Sequence, residues 1–255
     1  MKFAETDGLI EAALHMQMIQ RCQRAYLHEL RNGLQGISTG IDLLTRMLAG
    51  KMPSSVPVDK ANDMVRRAVG NYEHTMQDVI EQIVPRDEPT AAFPLIATLN
   101  TAVSLLNNDA LSHGVSLSVT SPTTSDEPIA IFARKDKFRL ALMSLMIRSI
   151  DAMSSAQNKR DAAETGGTLT IDVQVTDANV SVDIGSTPTD SALLDQAALW
   201  QLDIAAASGA ANAWIAHGIQ LLVKNNGGTV EYQKMDSALG PTLITRLSFP
   251  SHLAA

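Results

Sequence analysis

Apolar residues repeat with a helical period through the first third of the chain. Between residues 30 and 48 the apolar positions recur in alternating steps of four and three, at Leu30, Leu34, Ile37, Ile41, Leu44 and Leu48. This spacing predicts one long helix, from about residue 7 to residue 49, with a seam of the coiled-coil type. Upstream the apolar stripe shifts to Ile19, Cys22 and Tyr26, so the seam is not one continuous heptad register.

Three glycines, Gly33, Gly36 and Gly40, lie inside this helical pattern. Each costs roughly 1 kcal/mol relative to alanine in a helix, which predicts close approach of another surface or local flexibility. A turn rich in glycine, proline and serine follows at 50–57, and a second amphipathic helix runs to residue 83. Two such helices form a hairpin that buries its seam poorly alone, so we predict a homodimer with a four-helix bundle.

The pattern changes after a proline-marked linker at 85–89. Helical patterns at 95–111, 136–153 and 211–224 alternate with short strand patterns at 115–119, 129–132, 168–175, 179–184, 229–233 and 242–249. Helices mixed with mostly antiparallel strands are typical of a two-layer α/β sandwich. We therefore predict an α + α/β protein, with a helical hairpin at 1–84 and a sandwich domain at 90–255.

Composition excludes several classes of protein. The net charge of −7 argues against general nucleic-acid binding, which needs a basic face. Cys22 is the only cysteine, which excludes an intramolecular disulfide and a cysteine-based zinc site. The sequence has no run of 18 or more apolar residues, so it predicts no membrane-spanning helix. Its first residues do not resemble a signal peptide. We expect a cytoplasmic protein without membrane insertion.

Candidate chemistry is concentrated on the first helix, where His28, Glu29 and Asn32 lie within about one turn. His28 and Asn32 are four residues apart and about 200° around the axis from Leu30, so they point away from the seam. A neutral imidazole can accept a phosphoryl group on one ring nitrogen, and Glu29 could hold or deprotonate the other. Asn32 could orient a water molecule. The alternative is that His28 merely occupies a solvated face.

The string His28-Glu29-Leu30-Arg31-Asn32-Gly33-Leu34 resembles the phosphoacceptor box of bacterial two-component histidine kinases. That box commonly reads His-Glu-(Leu/Ile)-(Arg/Lys)-(Thr/Asn)-Pro-Leu, so Gly33 replaces the usual proline. The resemblance implies that His28 is the phosphorylated residue and that Glu29 is its acid/base neighbour. Asn32 matches the position linked to phosphatase activity. The resemblance also implies that the hairpin is followed by a sandwich of the histidine-kinase ATPase type.

By the same resemblance, the residues that hold the nucleotide are degenerate. The family's magnesium-ligating asparagine is replaced by Arg148, and a guanidinium is a donor that cannot coordinate a cation. The adenine-binding motif Asp-x-Gly-x-Gly is reduced to Asp183 and Gly185, and strand alternation leaves open that Ser186 takes the aspartate's place. The phosphate loop Gly-x-Gly-Leu-Gly-Leu falls on residues 211–216, where Ala211 and Ala213 stand at glycine positions.

These losses predict that the chain does not use ATP productively. Phosphate-loop glycines let backbone N–H groups approach phosphates at a helix N-terminus, and alanine or isoleucine side chains restrict that approach. Trp214 is large enough to fill a nucleotide cleft, and we expect Trp200 and Trp214 to plug a vacated pocket. We expect no cofactor and no metal ligand in this chain, with Mg²⁺ supplied by a partner receiver domain.

The leading hypothesis is a dimeric histidine phosphotransfer protein of a phosphorelay, similar to the kinase-like histidine phosphotransferases. In it His28 accepts a phosphoryl group from one response-regulator receiver domain and donates it to another. A second hypothesis is an active histidine kinase with a divergent ATP site. A third is a response-regulator phosphatase or non-catalytic regulator, in which Glu29 and Asn32 matter more than His28.

Overall fold

A computed structural model of the chain describes residues 2–51, 58–83, 87–121, 129–157, 166–176, 178–187, 213–237 and 240–251. The chain groups into two compact units, Gln23–Pro85 (the hairpin unit) and Met1–Cys22 with Arg86–Ala255 (the sandwich unit). In chain order the elements are α1 (Lys2–Leu48), α2 (Val58–Ile83), β1 (Ala91–Pro94), α3 (Leu95–Ser112), β2 (Val115–Thr120), β3 (Ala130–Ala133), α4 (Lys135–Gln157), β4 (Gly167–Val175), β5 (Asn179–Thr187), α5 (Ala213–Asn225), β6 (Thr229–Ser237) and β7 (Gly240–Pro250).

The main sheet of the sandwich unit has five strands in the order β2-β4-β5-β7-β6. β2 is parallel to β4, and the other neighbours are antiparallel. Side chains alternate between the two faces, and in β5 Val180, Val182 and Ile184 are buried on the face that carries the helices. The helical hairpin and the two-layer α/β sandwich predicted from the sequence are confirmed.

A second, two-stranded sheet pairs β1 with β3 in antiparallel register, Ala91 opposite Ala133. The sequence pattern predicts β3 but not β1, because only Phe93 of its four residues is buried. The rings of Phe93, Phe138 and Phe249 form a cluster, with neighbouring centroids 5.6 and 5.3 Å apart. This aromatic cluster joins β1, α4 and β7 in one core.

Helix α4 is buried on every side. All eight residues from Leu140 to Ile147 are buried, and eight consecutive residues cover more than two helical turns. A helix that packs on a sheet by one face alone would expose the other face to water. The sheet lies on one side of α4, and the helices α3 and α5 are its other neighbours.

The first turns of α1 pack onto this helical layer. Leu14, Met18 and Cys22 are fully or almost fully buried. A methyl group placed on Gly218 of α5 would lie 2.6 Å from Cγ2 of Ile10 and 2.8 Å from Cδ1 of Leu14. The first part of α1 thus lies in close contact with α5, and a larger residue at position 218 would displace it.

Ion pairs link the same part of α1 to α3 and to both ends of α4. Glu11 pairs with Lys137 in the first turn of α4. Arg21 donates from Nη1 to Asp151, at 2.6 Å, and from Nη2 to Asp109 of α3, at 2.7 Å. Burial by itself would lower the pKa of Arg21, but the two carboxylates outweigh it and raise that pKa. Residues 11–21 therefore run along α4 in the same direction.

The sequence analysis divides the chain into domains at 1–84 and 90–255 and so assigns residues 1–22 to the hairpin. The structure assigns them to the other unit. By contact they group with 86–255, and the hairpin unit begins at Gln23. The physical reason is the apolar surface of α4 and α5, which residues 10–22 cover. No helix in the described ranges is both long enough and apolar enough to cross a membrane.

Candidate functional site

His28 lies on α1 in the hairpin unit, and its side chain is exposed. Nδ1 of the ring is 3.2 Å from the side-chain nitrogen of Asn32, one turn further along the helix. Asn32 is also exposed. Two of the three residues predicted as the site are therefore in hydrogen-bond contact on the solvent side of α1. Glu29 lies between them on the helix, and its side chain is outside the described residues.

A second face of α1 packs on α2, in closest contact at two of its three glycines. A methyl group placed on Gly33 would lie 2.7 Å from Cδ2 of Tyr72, and one on Gly40 would lie 2.6 Å from Cγ2 of Val65. At Gly36 the nearest atom, the Cβ of Ala68, is 3.7 Å away, an ordinary contact. At Gly33 and Gly40 a second helix approaches α1 closely. This is one of the two alternatives that the sequence analysis gives for the glycines.

Tyr72 also gives a physical reason for the departure from the family's box at Gly33. A proline carries a Cβ, and the Tyr72 ring occupies that space. Proline would further remove a backbone hydrogen bond from the middle of a helix. With glycine here, α1 continues as one helix from Lys2 to Leu48, and the turn that carries Asn32 remains regular.

A third face of α1 carries apolar side chains that remain exposed. They recur every seven residues, and between 52% and 78% of each is accessible: Leu27, Leu34, Ile41 and Leu48. His28 and Asn32 lie about 100–160° around the axis from Leu27 and Leu34. The hairpin unit therefore carries an uncovered apolar stripe that is separate from the histidine face. We call these four residues the leucine stripe.

Arg148, at the position of the family's metal-binding asparagine, is largely buried in α4. Burial lowers the pKa of this guanidinium to about 10, and the nearby Tyr232 of β6 opposes that shift. At pH 7 the side chain still carries its positive charge. Ser144, at the earlier asparagine position, is buried in the same helix. In the part of the chain that the structure describes, no three His, Cys, Asp or Glu side chains form a metal-binding group.

Asp183 lies on the sheet face opposite to the helices. Arg246 of β7 donates to both of its carboxylate oxygens, Nε to Oδ1 at 2.7 Å and Nη2 to Oδ2 at 2.6 Å. The hydrogen bond to Asp183 raises the pKa of Arg246. Gln174 of β4 donates to the same carboxylate at 3.3 Å. This carboxylate is therefore engaged by two neighbouring strands, on the face that the helices leave open.

Ser186, rather than Asp183, lies on the helix-facing side of β5. It is buried, and its hydroxyl donates to the carbonyl oxygen of Leu243 at 3.3 Å. Of the two residues that the sequence leaves open for the family's aspartate position, Ser186 faces the helices and Asp183 faces away from them. Gly185 faces the other way, where an added methyl group would lie 2.7 Å from the hydroxyl oxygen of Thr170. Close packing between β4 and β5 therefore explains why a residue without a side chain occupies position 185.

The phosphate-loop positions are only partly described. Ala211 lies outside the described residues, and α5 begins at Ala213, whose side chain is not described. Trp214 follows and is 39% exposed. Trp200 also lies outside the described residues. The structure therefore does not place either tryptophan as a buried plug.

Comparison with known proteins gives matches among solved structures alone, since no family model and no curated protein matches the chain. The catalytic domain of histidine kinase ThkA is 11% identical, with 64% of this chain and 96% of that chain covered, at a TM-score of 0.47. ThkA in complex with response regulator TrrA is 11% identical, with 93% and 63% covered, at 0.45. A histidine kinase from Burkholderia phymatum is 15% identical, with 94% and 99% covered, at 0.45.

These structures are histidine kinases, as the phosphoacceptor string led us to expect. A likeness at about a tenth identity is one of overall fold, and fold alone does not determine activity. Three contacts in the structure are absent from the sequence-based prediction: Tyr72 against Gly33, Arg246 on Asp183, and Arg21 between two aspartates. The only one with a signal in the sequence is the first, because three glycines in a helix indicate close packing.

The glycine contacts predict opposite effects of one substitution at two positions. Gly40→Ala should lower the free energy of unfolding by about 1–2 kcal/mol, because the overpacking against Val65 exceeds the gain in helix propensity. Gly36→Ala, the matched control, should raise it by about 0.5–1 kcal/mol, because the new methyl group has room. Urea unfolding followed by circular dichroism gives both values. Equal stability of the two variants would contradict the packing described.

Proposed function

We propose that this protein is a histidine phosphotransfer protein of a two-component phosphorelay. His28 accepts a phosphoryl group from the aspartyl phosphate of one receiver domain and donates it to the aspartate of another. The observation that carries the proposal is the exposed His28 ring in contact with Asn32, within a string that matches the phosphoacceptor box. An imidazole in this position is accessible to a partner's phosphorylated side chain.

The chemistry needs little from this chain. A lone pair on the His28 ring attacks phosphorus while the bond from phosphorus to the aspartate oxygen breaks, and the electron pair leaves with the carboxylate. The receiver supplies both the aspartate and the magnesium ion. Glu29 acts as the acid/base neighbour of His28 in this proposal. The reverse of the same step passes the phosphoryl group to the second receiver.

The features of the sandwich unit favour this source of phosphate over ATP. Arg148 adds a fixed positive charge where the family has a metal ligand. Asp183 is engaged by Arg246 on the open face of the sheet. Residues 211–216 contain none of the three glycines of the phosphate loop. We propose that the sandwich unit serves as a docking surface and scaffold and does not bind ATP.

The Asn32 contact also supports a second candidate function. An amide beside the phosphoacceptor can orient a water molecule for attack on a receiver's acyl phosphate, which would make the protein a response-regulator phosphatase. In that case Asn32 and Glu29 carry the activity and His28 does not. The two candidate functions therefore depend on different residues of the same helix, and substitutions separate them.

Transfer from a phosphorylated receiver tests the proposal. Wild-type protein incubated with a receiver that carries ³²P-phosphoaspartate should acquire label, and His28→Ala should acquire none. Gln35→Ala, an exposed residue one turn further on, is the matched control and should be labelled like the wild type. Wild-type protein that stays unlabelled contradicts phosphotransfer. Loss of receiver phosphate that persists in His28→Ala but stops in Asn32→Ala identifies a phosphatase.

A homodimer is the second part of the proposal, and the leucine stripe supports it. Four large apolar side chains at heptad spacing, exposed on one chain, match the seam of a helical bundle formed by two hairpins. His28 lies on another face of α1 and stays accessible when the stripe is covered. A pair of hairpins related by two-fold symmetry would present two such histidines.

If the leucine stripe forms the dimer interface, one charged side chain introduced into it should separate the two chains of the dimer. Ile41→Asp should convert a dimer into a monomer, because the carboxylate would be placed inside the apolar seam without a partner. Gln35→Asp adds the same charge on the histidine side of α1 and should leave the dimer intact. Sedimentation equilibrium measures the mass of each. A wild-type protein that is monomeric at micromolar concentration would contradict the dimer.

A further inference from the structure

A cavity of about 470 Å³ lies in the sandwich unit, where β3, the turn after α5 and the end of β7 meet. The described residues that line it are Thr90, Phe132, residues 225–227, Pro250 and Ser251. Sites for small molecules are commonly clefts of about 300–1,000 Å³ with a mostly apolar lining and a few polar groups. The volume and the lining of this cavity therefore suit a small organic ligand.

This cavity is not the nucleotide site of the family that the chain resembles. The family's phosphate loop corresponds to residues 211–216, at the start of α5, whereas the cavity lies at the other end of that helix. Because α5 runs from Ala213 to Asn225, its two ends are about 18 Å apart at 1.5 Å per residue. Arg148, Asp183 and Ser186 are also absent from the described residues that line the cavity.

Hydrogen bonds within the chain hold the walls of the cavity together. The side chain of Asn226 accepts from the backbone N–H of Arg134, at 3.2 Å, and donates to the carbonyl oxygen of Leu222, at 3.0 Å. Asn226 thus connects the residue after β3 to the last turns of α5. Ser251 forms an antiparallel bridge with Ile131, which joins the end of β7 to β3. The cavity is therefore preformed, and a ligand loses little free energy in ordering it.

Phe132 supplies an aromatic wall of the cavity. Its neighbours in β3, Ile131 and Ala133, are fully buried, whereas the Phe132 side chain is 49% exposed. Strand alternation places Phe132 on the face away from that core. An accessible ring beside a cavity can stack on a flat ring of a ligand, and such a pair contributes more than the buried area alone.

The other walls favour a neutral ligand with an N–H group. None of the described lining residues is charged, and burial of an unpaired charge is costly. Gly227 has a φ of 75°, and a methyl group on it would meet no atom within 4 Å, so the wall there is bare backbone. Residues 225–227 lie at the end of α5, where the helix dipole places partial negative charge. Lys224, the basic residue of that last turn, is exposed and does not line the cavity.

We propose that this cavity binds a small neutral aromatic molecule of about two fused rings that carries a ring N–H group. The ring system stacks on Phe132, and the N–H group faces residues 225–227. A cavity of about 150 Å³ holds one benzene molecule, so about 470 Å³ is ample for two fused rings. The site goes beyond the proposed phosphotransfer, because it requires neither His28 nor a receiver domain.

Indole is the probe that tests this site. Saturation-transfer NMR on the full chain should detect indole binding with a Kd on the order of 1 mM or tighter, as expected for a ligand of this size. The backbone amide signals of residues 226–228 should shift in a ¹⁵N spectrum. Indole-3-acetate should bind about tenfold more weakly, because its carboxylate would be buried without a partner. Absence of indole binding at millimolar concentration, or equal affinity for the two probes, would overturn the proposal.

Two variants separate binding in the cavity from adsorption to the surface. Phe132→Ala removes the aromatic wall and should weaken indole binding by roughly fivefold to tenfold. Thr90→Trp places a large ring at an exposed lining position and should abolish binding by filling the cavity. Leu111→Ala, the matched control, removes an exposed apolar side chain outside the cavity and should bind indole like the wild type.

Circular dichroism verifies that each variant is folded, and the two substitutions act in opposite ways on the cavity, one enlarging it and one filling it. Indole binding that is equal in the wild type, Phe132→Ala and Thr90→Trp would overturn the site.

Discussion

The apolar surface of α4 is the constraint on which the sandwich unit depends. Residues 140–147 are all buried, so the helix needs the sheet on one side and further helices on the others. Residues 10–22 of α1 supply part of that cover and are fixed by Arg21 between Asp109 and Asp151. Arg148 belongs to the same helix, where burial lowers the pKa of its guanidinium to about 10. The core that stabilises the unit therefore also contains the arginine on which the proposed loss of ATP use partly rests.

In the hairpin unit, α1 has three faces with different residue types, and the residue types determine what can contact each face. Glycines let α2 approach closely, as the contacts of Gly33 and Gly40 with Tyr72 and Val65 demonstrate. The leucine stripe stays exposed and suits a second copy of the chain. His28 and Asn32 occupy the polar face, which is open to the receiver domain we propose as partner. Because these faces do not overlap, the proposed dimer and the proposed phosphotransfer are compatible on one helix.

Sequence patterns predicted most of the elements, because hydrophobic period and turn residues are local signals. They predicted the sandwich, the hairpin and the site helix, but missed β1, which has one buried residue. They also assigned residues 1–22 to the hairpin. The shift of the apolar stripe near Cys22 was the sign that α1 changes partners there, but a stripe does not identify what covers it. The pairing of Asp183 with Arg246 depends on strand register, which joins residues 63 apart in the chain.

The central claim is that His28 receives its phosphoryl group from another protein and not from ATP held by its own chain. The most direct test is incubation of the purified full chain with γ-³²P-ATP and magnesium, followed by measurement of label on the protein. We expect no incorporation above that of His28→Ala. Label that appears on the wild type and disappears in His28→Ala would contradict it, because the sandwich unit would then be a working kinase domain.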